Sequence, residues 1–190
     1  SIEKFIEIQK NEAKNTNTFL FRNSPLFVDP RNKNLGARIL SPLEKLHLTI
    51  KKLNLKIVNQ DIYVKKAHSL GIPVKGVELL KEKLFGLEAN LEELKAIDFK
   101  KGCYIGQENT ARIKLRNKLR RRILPIKKIS GEILENDIIK YKDMEIGKIV
   151  IDKPYSFGLI KVVDPDIREF INTELTCGKS KVKILKPDWI

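Results

Sequence analysis

The chain has 190 residues, of which 42% are apolar and 33% are charged, and its formal net charge is +14. This length accommodates one large domain or two small ones, and the apolar content is typical of a globular protein. No apolar stretch approaches the roughly 20 residues that a membrane-spanning helix needs, so we expect no membrane partner. Lysine supplies most of the positive charge, which indicates a biased composition and weakens a nucleic-acid interpretation.

The number and spacing of the cysteines indicate the redox state of the protein's compartment. The two cysteines, Cys103 and Cys177, lie 74 positions apart and match neither a disulfide framework nor a paired-cysteine zinc site. This pattern favours a reducing environment, and we predict a cytoplasmic location. Because the chain opens with Ser1 rather than methionine, we expect it to be part of a longer protein.

Short strands and one capped helix are predicted first. Strands are expected at 19–21, 26–28 and 35–40, with turn residues between them. Ser41 as the cap, Pro42 at the first helical position and Glu44 then predict a helix start with a capping box. The buried stripe of this helix is predicted to be Leu43, Leu46, Ile50 and Leu53. His47 lies beside the stripe and is interpreted as a partly buried packing residue.

Three more helical segments are predicted before the first cysteine, at about 60–70, 75–84 and 91–95. Gly71 follows the first of them, in a position typical of a helix end. Asn90 is predicted to cap the last one. The core-facing residues of the first segment are predicted to be Ile62, Tyr63, Ala67 and Leu70.

The octapeptide Lys101–Glu108 carries the clearest chemistry. Its cysteine, Cys103, lies between two glycines, after two lysines and ahead of a helix predicted from Gly106 to about Lys114, with a turn at Asn117. Cations and helix N-termini lower the pKa of a thiol, which favours a reactive or metal-binding cysteine. The alternative is a small buried cysteine in a tight turn.

An arginine cluster follows the octapeptide. Five of the nine arginines fall within eleven residues, and no acidic residue occurs between Asn109 and Gly131. The five are Arg112, Arg116, Arg120, Arg121 and Arg122. Such a cluster binds a phosphate backbone or an acidic partner, or else forms a solvated connector.

The composition changes after Arg122 to short segments rich in isoleucine and valine, separated by turn residues. Regularly spaced short strands of this kind predict a small antiparallel barrel. The strands are expected at 123–129, 138–141, 145–151, 157–163 and 181–185. We therefore predict two domains, 1–117 and 118–190, and interpret Cys177 as an incidental turn residue of the second.

The octapeptide, followed by Ala111-Arg112 and Arg121-Arg122, resembles the signature of YgfZ-type folate-binding proteins. These are relatives of the glycine-cleavage T-protein, an aminomethyltransferase. Weaker matches are Asp29-Pro30-Arg31, Leu35-Gly36-Ala37-Arg38, Gly71-Ile72-Pro73, Leu87-Glu88 and the tail 182–189. The resemblance implies an α+β fold, in which 1–117 is the C-terminal part of a T-protein-like folate-binding domain and the barrel follows. It also implies that the family's N-terminal segment, which supplies part of the folate pocket, precedes this chain.

The function that the resemblance implies is that of a folate-binding accessory protein for the assembly or repair of iron–sulfur clusters. Effects on tRNA modification would then arise through iron–sulfur enzymes. The implied cofactors are tetrahydrofolate and a cluster shared through Cys103 with an A-type carrier protein or a client iron–sulfur enzyme. Because clusters generally need four protein ligands, one thiolate requires such a partner.

The resemblance also assigns residue roles. Glu88 resembles the T-protein glutamate that binds the pterin, since a carboxylate accepts paired N–H bonds; the alternative is an ordinary helix-flanking glutamate. Lys101 would lower the pKa of the thiol or attract the anionic glutamate tail of folate, unless it is a solvated surface lysine. The arginine cluster is a further candidate for that tail. The predicted cofactor-binding residues are Glu88, Lys101, Cys103, Tyr104, Gln107 and Arg112.

Two alternatives to an accessory protein stay open: a tetrahydrofolate-dependent aminomethyltransferase of the T-protein type, and an RNA- or tRNA-binding modification factor. No Ser-His-Asp set, phosphate-binding loop or dinucleotide fingerprint is recognisable in the chain. T-proteins lack the cysteine motif, and the aromatic pattern of RNA-recognition modules does not accompany the arginines. The accessory role is therefore the preferred interpretation.

Overall fold

A computed structural model describes residues 18–102, 105–116 and 119–189. Contacts divide the chain into two compact units, Ser1–Ile62 and Tyr63–Ile190. Cys103, Tyr104 and the turn predicted at Asn117 lie outside the described residues. Within the described ranges, no helix is long and apolar enough to cross a membrane.

The first unit contains a three-stranded antiparallel sheet and a helix. The strands are β1 (Thr18–Phe21), β2 (Ser24–Val28) and β3 (Ala37–Ile39), in the order β1-β2-β3, and helix α1 covers Leu43–Lys52. All four elements were predicted. Arg22 and Asn23 join β1 to β2 with φ values of 50° and 60°. Positive φ at both turn residues matches the right-handed twist of a hairpin.

The predicted capping box of α1 is wrong. Pro42 occupies the cap position without a side-chain hydrogen bond, and the hydroxyl of Ser41 instead accepts a hydrogen bond from Ser24 at 3.0 Å. The predicted stripe is also shifted, because Leu43 is exposed whereas Thr49 is buried. The interpretation of His47 as a partly buried packing residue is wrong, because His47 is exposed. The side chains of Leu46, Thr49 and Leu53 line an apolar cavity of about 210 Å³ within this unit.

Asp29 organises the connection from β2 to β3. Its buried carboxylate accepts hydrogen bonds from the backbone and guanidinium of Arg31 and from Nε of Arg38 at 2.7 Å. Burial alone would raise the pKa of Asp29, but the hydrogen bonds of the two arginines outweigh it and hold the pKa at about 2. The weak motif matches at these three residues therefore describe a structural ion cluster.

The second unit is built on a closed antiparallel barrel, which confirms the barrel prediction and the mixture of helices and strands. Its strands are β4 (Arg121–Ser130), β5 (Ile138–Tyr141), β6 (Met144–Ile151), β7 (Phe157–Lys161), β8 (Leu175–Cys177) and β9 (Ser180–Ile184). They close in the order β4-β7-β6-β5-β8-β9. The domain division at 117/118 stays a prediction.

The sequence missed β8, and the interpretation of Cys177 as an incidental turn residue is wrong. Cys177 pairs with Ile139 and with Ser180 and is fully buried in the barrel core. The strand has only three residues, which is too short for its alternation of buried and exposed positions to stand out in the sequence.

The outer face of the barrel packs against a preceding segment of the chain. Ile123, Ile151 and Phe157 form a second buried cluster with Leu80, and partly buried Ala89 packs against it. The segment from about 77 to 94 is therefore held against the barrel by apolar contacts, and this contact positions the acidic residues of that segment.

This packing overturns two predicted helices. The segment predicted at 75–84 forms only a 3-10 turn, Val77–Leu80, after Gly76 with a φ of 77°. A Cβ at Gly76 would lie 2.6 Å from Ile151, so the backbone here follows the barrel surface. The predicted helix at 91–95 is a series of turns, and Asn90 has a φ of 59° instead of capping a helix.

The later residues of helix α2 (Gln60–Ser69) belong to the second unit and pack within it. Val64, Ala67 and His68 are buried, whereas Ile62, predicted to face the core, is exposed. The His68 ring contacts Tyr155 and Phe157, and its Nε2 lies 2.9 Å from the carbonyl oxygen of Ser156. Burial lowers the pKa of His68, although backbone hydrogen bonds partly oppose this effect. His68 thus acts as a packing residue between α2 and the barrel.

The C-terminal tail closes over the turn that follows α2. Gly71 has a φ of 76°, and a Cβ at this position would lie 2.7 Å from Pro187 Cγ and 3.1 Å from Trp189 Cζ2. The indole N–H of Trp189 donates to the carbonyl of Leu70 at 3.4 Å. The absence of a side chain at Gly71 therefore allows Pro187 and Trp189 of the tail to pack against this turn.

We expect Gly71→Ala to lower the free energy of unfolding by about 2–4 kcal/mol. Roughly 1 kcal/mol arises from the positive φ, and overpacking against Pro187 adds about 1–3 kcal/mol. Gly106→Ala is the matched control, because Gly106 has a φ of 83° but no atom within 4 Å of its Cβ position. Urea unfolding measures both, and equal losses would contradict the steric contribution.

Candidate functional site

The helix after the octapeptide is present as predicted. Helix α3 covers Gln107–Leu115 and starts at Gly106, whose φ is 83°. Lys114 anchors it: Nζ lies 2.7 and 2.8 Å from the two carboxylate oxygens of Glu92 and 5.7 Å from the ring centre of Phe99. The helix is thus tied to the segment that packs on the barrel.

Glu88 is held by the start of β4. Its Oε1 lies 3.0 Å from Arg121 Nε and 2.9 Å from Arg121 Nη2, while Oε2 accepts the backbone N–H of Phe85 at 3.1 Å. The backbone carbonyl of Glu88 also accepts the N–H of Ile123 at 2.9 Å. Glu88 is therefore a buried, charge-paired residue rather than a solvated helix-flanking glutamate.

A second polar network lies beside it. The buried Asn90 donates through Nδ2 to the carbonyl of Ile123 at 2.7 Å and accepts from Arg122 Nη1 at 3.2 Å. Arg122 also pairs with Glu93 at 2.5 Å and lies 5.9 Å from the ring centre of Trp189. The arginine pair of β4, Arg121 and Arg122, is therefore engaged in holding the fold together.

Two adjoining cavities lie beside these networks and share Phe85 and Ile113 in their walls. The larger has a volume of about 720 Å³ and the smaller about 280 Å³. The larger is lined by Phe85, Glu88, Ile113, Leu119, Arg120, Arg121, Lys161, Val163 and Asp164. The smaller is lined by Phe85, Asn109, Arg112, Ile113 and Arg116. We call the two cavities together the arginine groove.

The groove combines apolar walls with cations and with two carboxylates, those of Glu88 and Asp164. Phe85 and Val163 are exposed apolar residues, and Arg121 lies opposite Lys161 in the β4–β7 pairing. Nζ of Lys161 donates to the backbone carbonyl of Glu145 at 2.9 Å. This lining suits a ligand with an apolar part and a negative charge.

The structure brings some of the predicted cofactor-binding residues together. Glu88 and Arg112 both line the groove, in the larger and the smaller cavity respectively. Lys101 is exposed and Gln107 begins α3, and neither belongs to the groove lining. Cys103 and Tyr104 lie outside the described residues.

Sequence reasoning missed several groove residues. Phe85 follows a segment wrongly predicted to be helical, and Lys161, Val163 and Asp164 lie at and beyond the end of β7. None of them carries a local motif, and only the tertiary fold places them near α3. The arginine cluster identified in the sequence includes Arg120. Nothing in the sequence distinguishes it from Arg121 and Arg122, which bind acidic side chains in the structure.

Metal-ligand geometry is not found among the described residues, where no group of three or more His, Cys, Asp or Glu side chains could hold a metal ion. Cys177 is buried, and its burial, followed by the charge of Asp137, raises the pKa of the thiol to about 11.

Comparison with curated proteins finds relatives named as iron–sulfur cluster assembly factor IBA57 homologues, mitochondrial. One from Pyricularia oryzae is 38% identical over 97 residues, which are 51% of this chain and 24% of the relative. One from Neurospora crassa is 30% identical over 155 residues, 77% of this chain and 30% of the relative. One from Dictyostelium discoideum is 36% identical over 127 residues, 66% of this chain and 28% of the relative.

The chain spans between 24% and 30% of the length of these three relatives. No protein-family model matches it. The relatives agree with the resemblance of the octapeptide at the coarse level of iron–sulfur cluster assembly factors, and their names mention neither folate nor tRNA.

The relatives correct the predicted localisation. They are named as mitochondrial proteins, so the cytoplasmic location predicted from the cysteine content is wrong. The cysteine count indicates only whether a compartment is reducing and does not identify the compartment.

We expect Cys177 to resist thiol reagents in the folded protein, because only the thiolate reacts and this thiol is buried with a pKa of about 11. In a Cys103→Ala variant, labelling at pH 8 should proceed only as fast as the barrel unfolds, and it should become rapid in denaturant. Mass spectrometry over time measures both rates. Rapid labelling of the folded variant would show that Cys177 is accessible.

Proposed function

We propose that the protein is an accessory factor for the assembly or repair of iron–sulfur clusters, that it binds tetrahydrofolate, and that Cys103 supplies one ligand to a shared cluster. The observation that carries the proposal is the similarity to relatives named as iron–sulfur cluster assembly factors. That similarity supports the assembly role in general terms. The folate and the ligand role of Cys103 rest on the octapeptide and its resemblance to YgfZ-type proteins.

The arginine groove is the proposed folate site within this chain. Its apolar walls suit a planar ring system, and its cations suit the carboxylates of the glutamate part. The proposal includes the T-protein-like character of 1–117 and assumes that further parts of the pocket come from the remainder of the complete protein.

Glu88 has a specific constraint in this role. A carboxylate offers about four acceptor positions, and Nε of Arg121 and the N–H of Phe85 use two of them, while Nη2 of Arg121 makes an ion-pair contact at 2.9 Å. A pterin edge that donates two N–H bonds would use the remaining two positions beside the Arg121 guanidinium. The carboxylate would then stay paired with Arg121, which keeps the buried charge satisfied.

The proposed role of Cys103 is that of a single soft ligand in a cluster held jointly with a partner. Thiolates are the usual protein ligands of iron–sulfur clusters, and one thiolate is insufficient alone. An A-type carrier protein or a client iron–sulfur enzyme would supply the remaining ligands. Effects on tRNA modification would follow through such client enzymes.

We expect Cys103→Ala to abolish function in cells that depend on the complete protein for iron–sulfur enzyme activity. The loss follows because alanine offers no metal ligand. Aconitase-type and radical iron–sulfur enzyme activities measure the effect, with protein abundance checked by blotting. Cys177→Ala is the control, since it removes the other thiol. Full activity with Cys103→Ala at normal abundance would contradict the ligand role.

We expect Glu88→Gln to weaken tetrahydrofolate binding by about ten-fold or more, because hydrogen bonds to a charged group contribute about 1.5–3 kcal/mol. Glutamine keeps the shape and still accepts the N–H of Phe85. Isothermal titration of the complete protein measures the affinity, and Glu174→Gln is the control because Glu174 pairs with Lys181 outside the groove lining. Unchanged affinity in Glu88→Gln would remove Glu88 from the site.

A further inference from the structure

A further cavity of the second unit shares no lining residue with the arginine groove. Its volume is about 460 Å³, and sites for small ligands typically have volumes of about 300–1,000 Å³. Helix α2, strand β4 and the loop 152–156 between β6 and β7 each supply a wall. We call it the lysine cavity, after Lys65 of α2, Lys127 and Lys128 of β4 and Lys153 of the loop.

The three walls of the lysine cavity are joined to one another at Ser156. Its backbone carbonyl oxygen lies 2.9 Å from Nε2 of His68 on α2 and accepts the N–H of Ile126 on β4 at 2.9 Å. The hydroxyl of Ser156 donates to the carbonyl of Asp152 at 2.8 Å, which closes the loop on itself. The cavity is therefore pre-formed, and a ligand would not have to order its walls.

Each of these walls carries a lysine without a partner. Lys65, Lys127, Lys128 and Lys153 are all exposed, and none of them makes a side-chain hydrogen bond or ion pair with another residue that the structure describes. Lysine is abundant in this chain, so its presence alone is weak evidence. The distinguishing feature is that four lysines from three elements line one concavity.

The charge of the lining is positive in total. Two carboxylates, those of Glu132 and Asp152, also line the cavity, against the four lysines. Within the described residues, neither carboxylate forms an ion pair with a lysine of this lining. An anion that enters the cavity would therefore meet cations on three sides that are not already neutralised.

The kind of cation and the aromatic lining narrow the ligand chemistry. Lysine acts as a point charge that suits phosphate, whereas the planar fork of arginine suits carboxylates, and the lining contains no arginine. The half-buried ring of Tyr155 also lines the cavity and stacks on His68, with 5.3 Å between the ring centres and 29° between the planes. A ring held in this way offers a fixed surface for a flat ligand.

We propose that the lysine cavity is a nucleotide-binding site, in which the lysines bind the phosphates and Tyr155 stacks against the base. The two carboxylates of the lining suit the amino groups of a base, which donate hydrogen bonds. Single-stranded nucleic acids use grooves with several stacking rings, whereas the aromatic lining here exposes the ring of Tyr155 and buries that of His68. This site does not depend on the proposed folate function.

The first test is isothermal titration of the complete protein with ATP, inorganic tripolyphosphate and adenosine, without Mg²⁺, which would neutralise the phosphates. We expect ATP to bind about ten-fold tighter than tripolyphosphate, because stacking of the base adds to the phosphate contacts. Adenosine lacks the phosphates and should bind more weakly than ATP by at least about ten-fold. Absence of ATP binding, or equal affinities for ATP and tripolyphosphate, would overturn the nucleotide site.

A lysine variant tests where ATP binds. In Lys65→Gln, Lys127→Gln, Lys153→Gln, which changes one lysine of each wall, ATP should bind more weakly by about ten-fold or more, since three charge contacts are lost.

The matched control is Lys140→Gln, Lys148→Gln, Lys179→Gln, which changes three exposed lysines of the same unit outside this lining. It should keep the affinity within about two-fold, because salt screens distant charges. Equal losses in the two variants would show an effect of net charge and contradict the site.

Tyr155 is tested by the ratio of the affinities for ATP and tripolyphosphate in one and the same variant. A loss of stability affects both ligands, so it does not imitate a change in this ratio. Tyr155→Leu should lower the ratio from about ten to about two or less, because the stacking surface is lost. Tyr155→Phe keeps the ring and should keep the ratio. An unchanged ratio in Tyr155→Leu would contradict the stacked base.

Competition distinguishes the lysine cavity from other sites and ligands. Displacement of ATP by tetrahydrofolate would place both in one site and overturn a separate nucleotide site. Tighter binding of a short single-stranded RNA, with a steep salt dependence and loss in the lysine variant, would assign the cavity to RNA instead. Since ATP and folate are titrated separately, failure of the nucleotide site leaves the proposed folate function intact.

Discussion

The bonds between residues 88–93 and the start of β4 are the constraint on which the candidate site depends. The buried Glu88 binds Arg121, whose side chain is half exposed, and the buried Asn90 and partly buried Glu93 bind the partly buried Arg122. Leaving the buried carboxylate of Glu88 unpaired would cost several kcal/mol, so the pair with Arg121 stabilises its position. These bonds fix the position of residues 88–93 relative to the start of β4. This arrangement determines the shape of the groove beside them.

This constraint also determines which cations remain for a ligand. A chain with a net charge of +14 contains 38 lysines and arginines, so charge alone does not identify a binding surface. Arg121 and Arg122 are bound by residues 88–93, and Arg121 also lines the groove, whereas Arg112, Arg116 and Arg120 line it without a side-chain partner among the described residues. Lys114 makes the same distinction within the helix, because it pairs with Glu92 and takes no part in the lining.

The sequence predicted the elements whose signals are local. The hairpin of the first unit, the helix after the octapeptide and five of the six barrel strands follow from alternating residues and turn chemistry. The helices predicted near 80 and 93 failed because Gly76 and Asn90 adopt positive φ to meet the barrel, where tertiary contacts override propensity. The bond between Glu88 and Arg121 spans 33 positions and has no periodic signature.

The bond between Glu88 and Arg121 also shows that the motif match describes only part of the role of Glu88. The resemblance marked this residue as a pterin ligand, and the structure adds that the carboxylate is already charge-paired by a groove arginine. A ligand that engages Glu88 therefore meets a carboxylate that already has partners, and it must leave that buried charge paired.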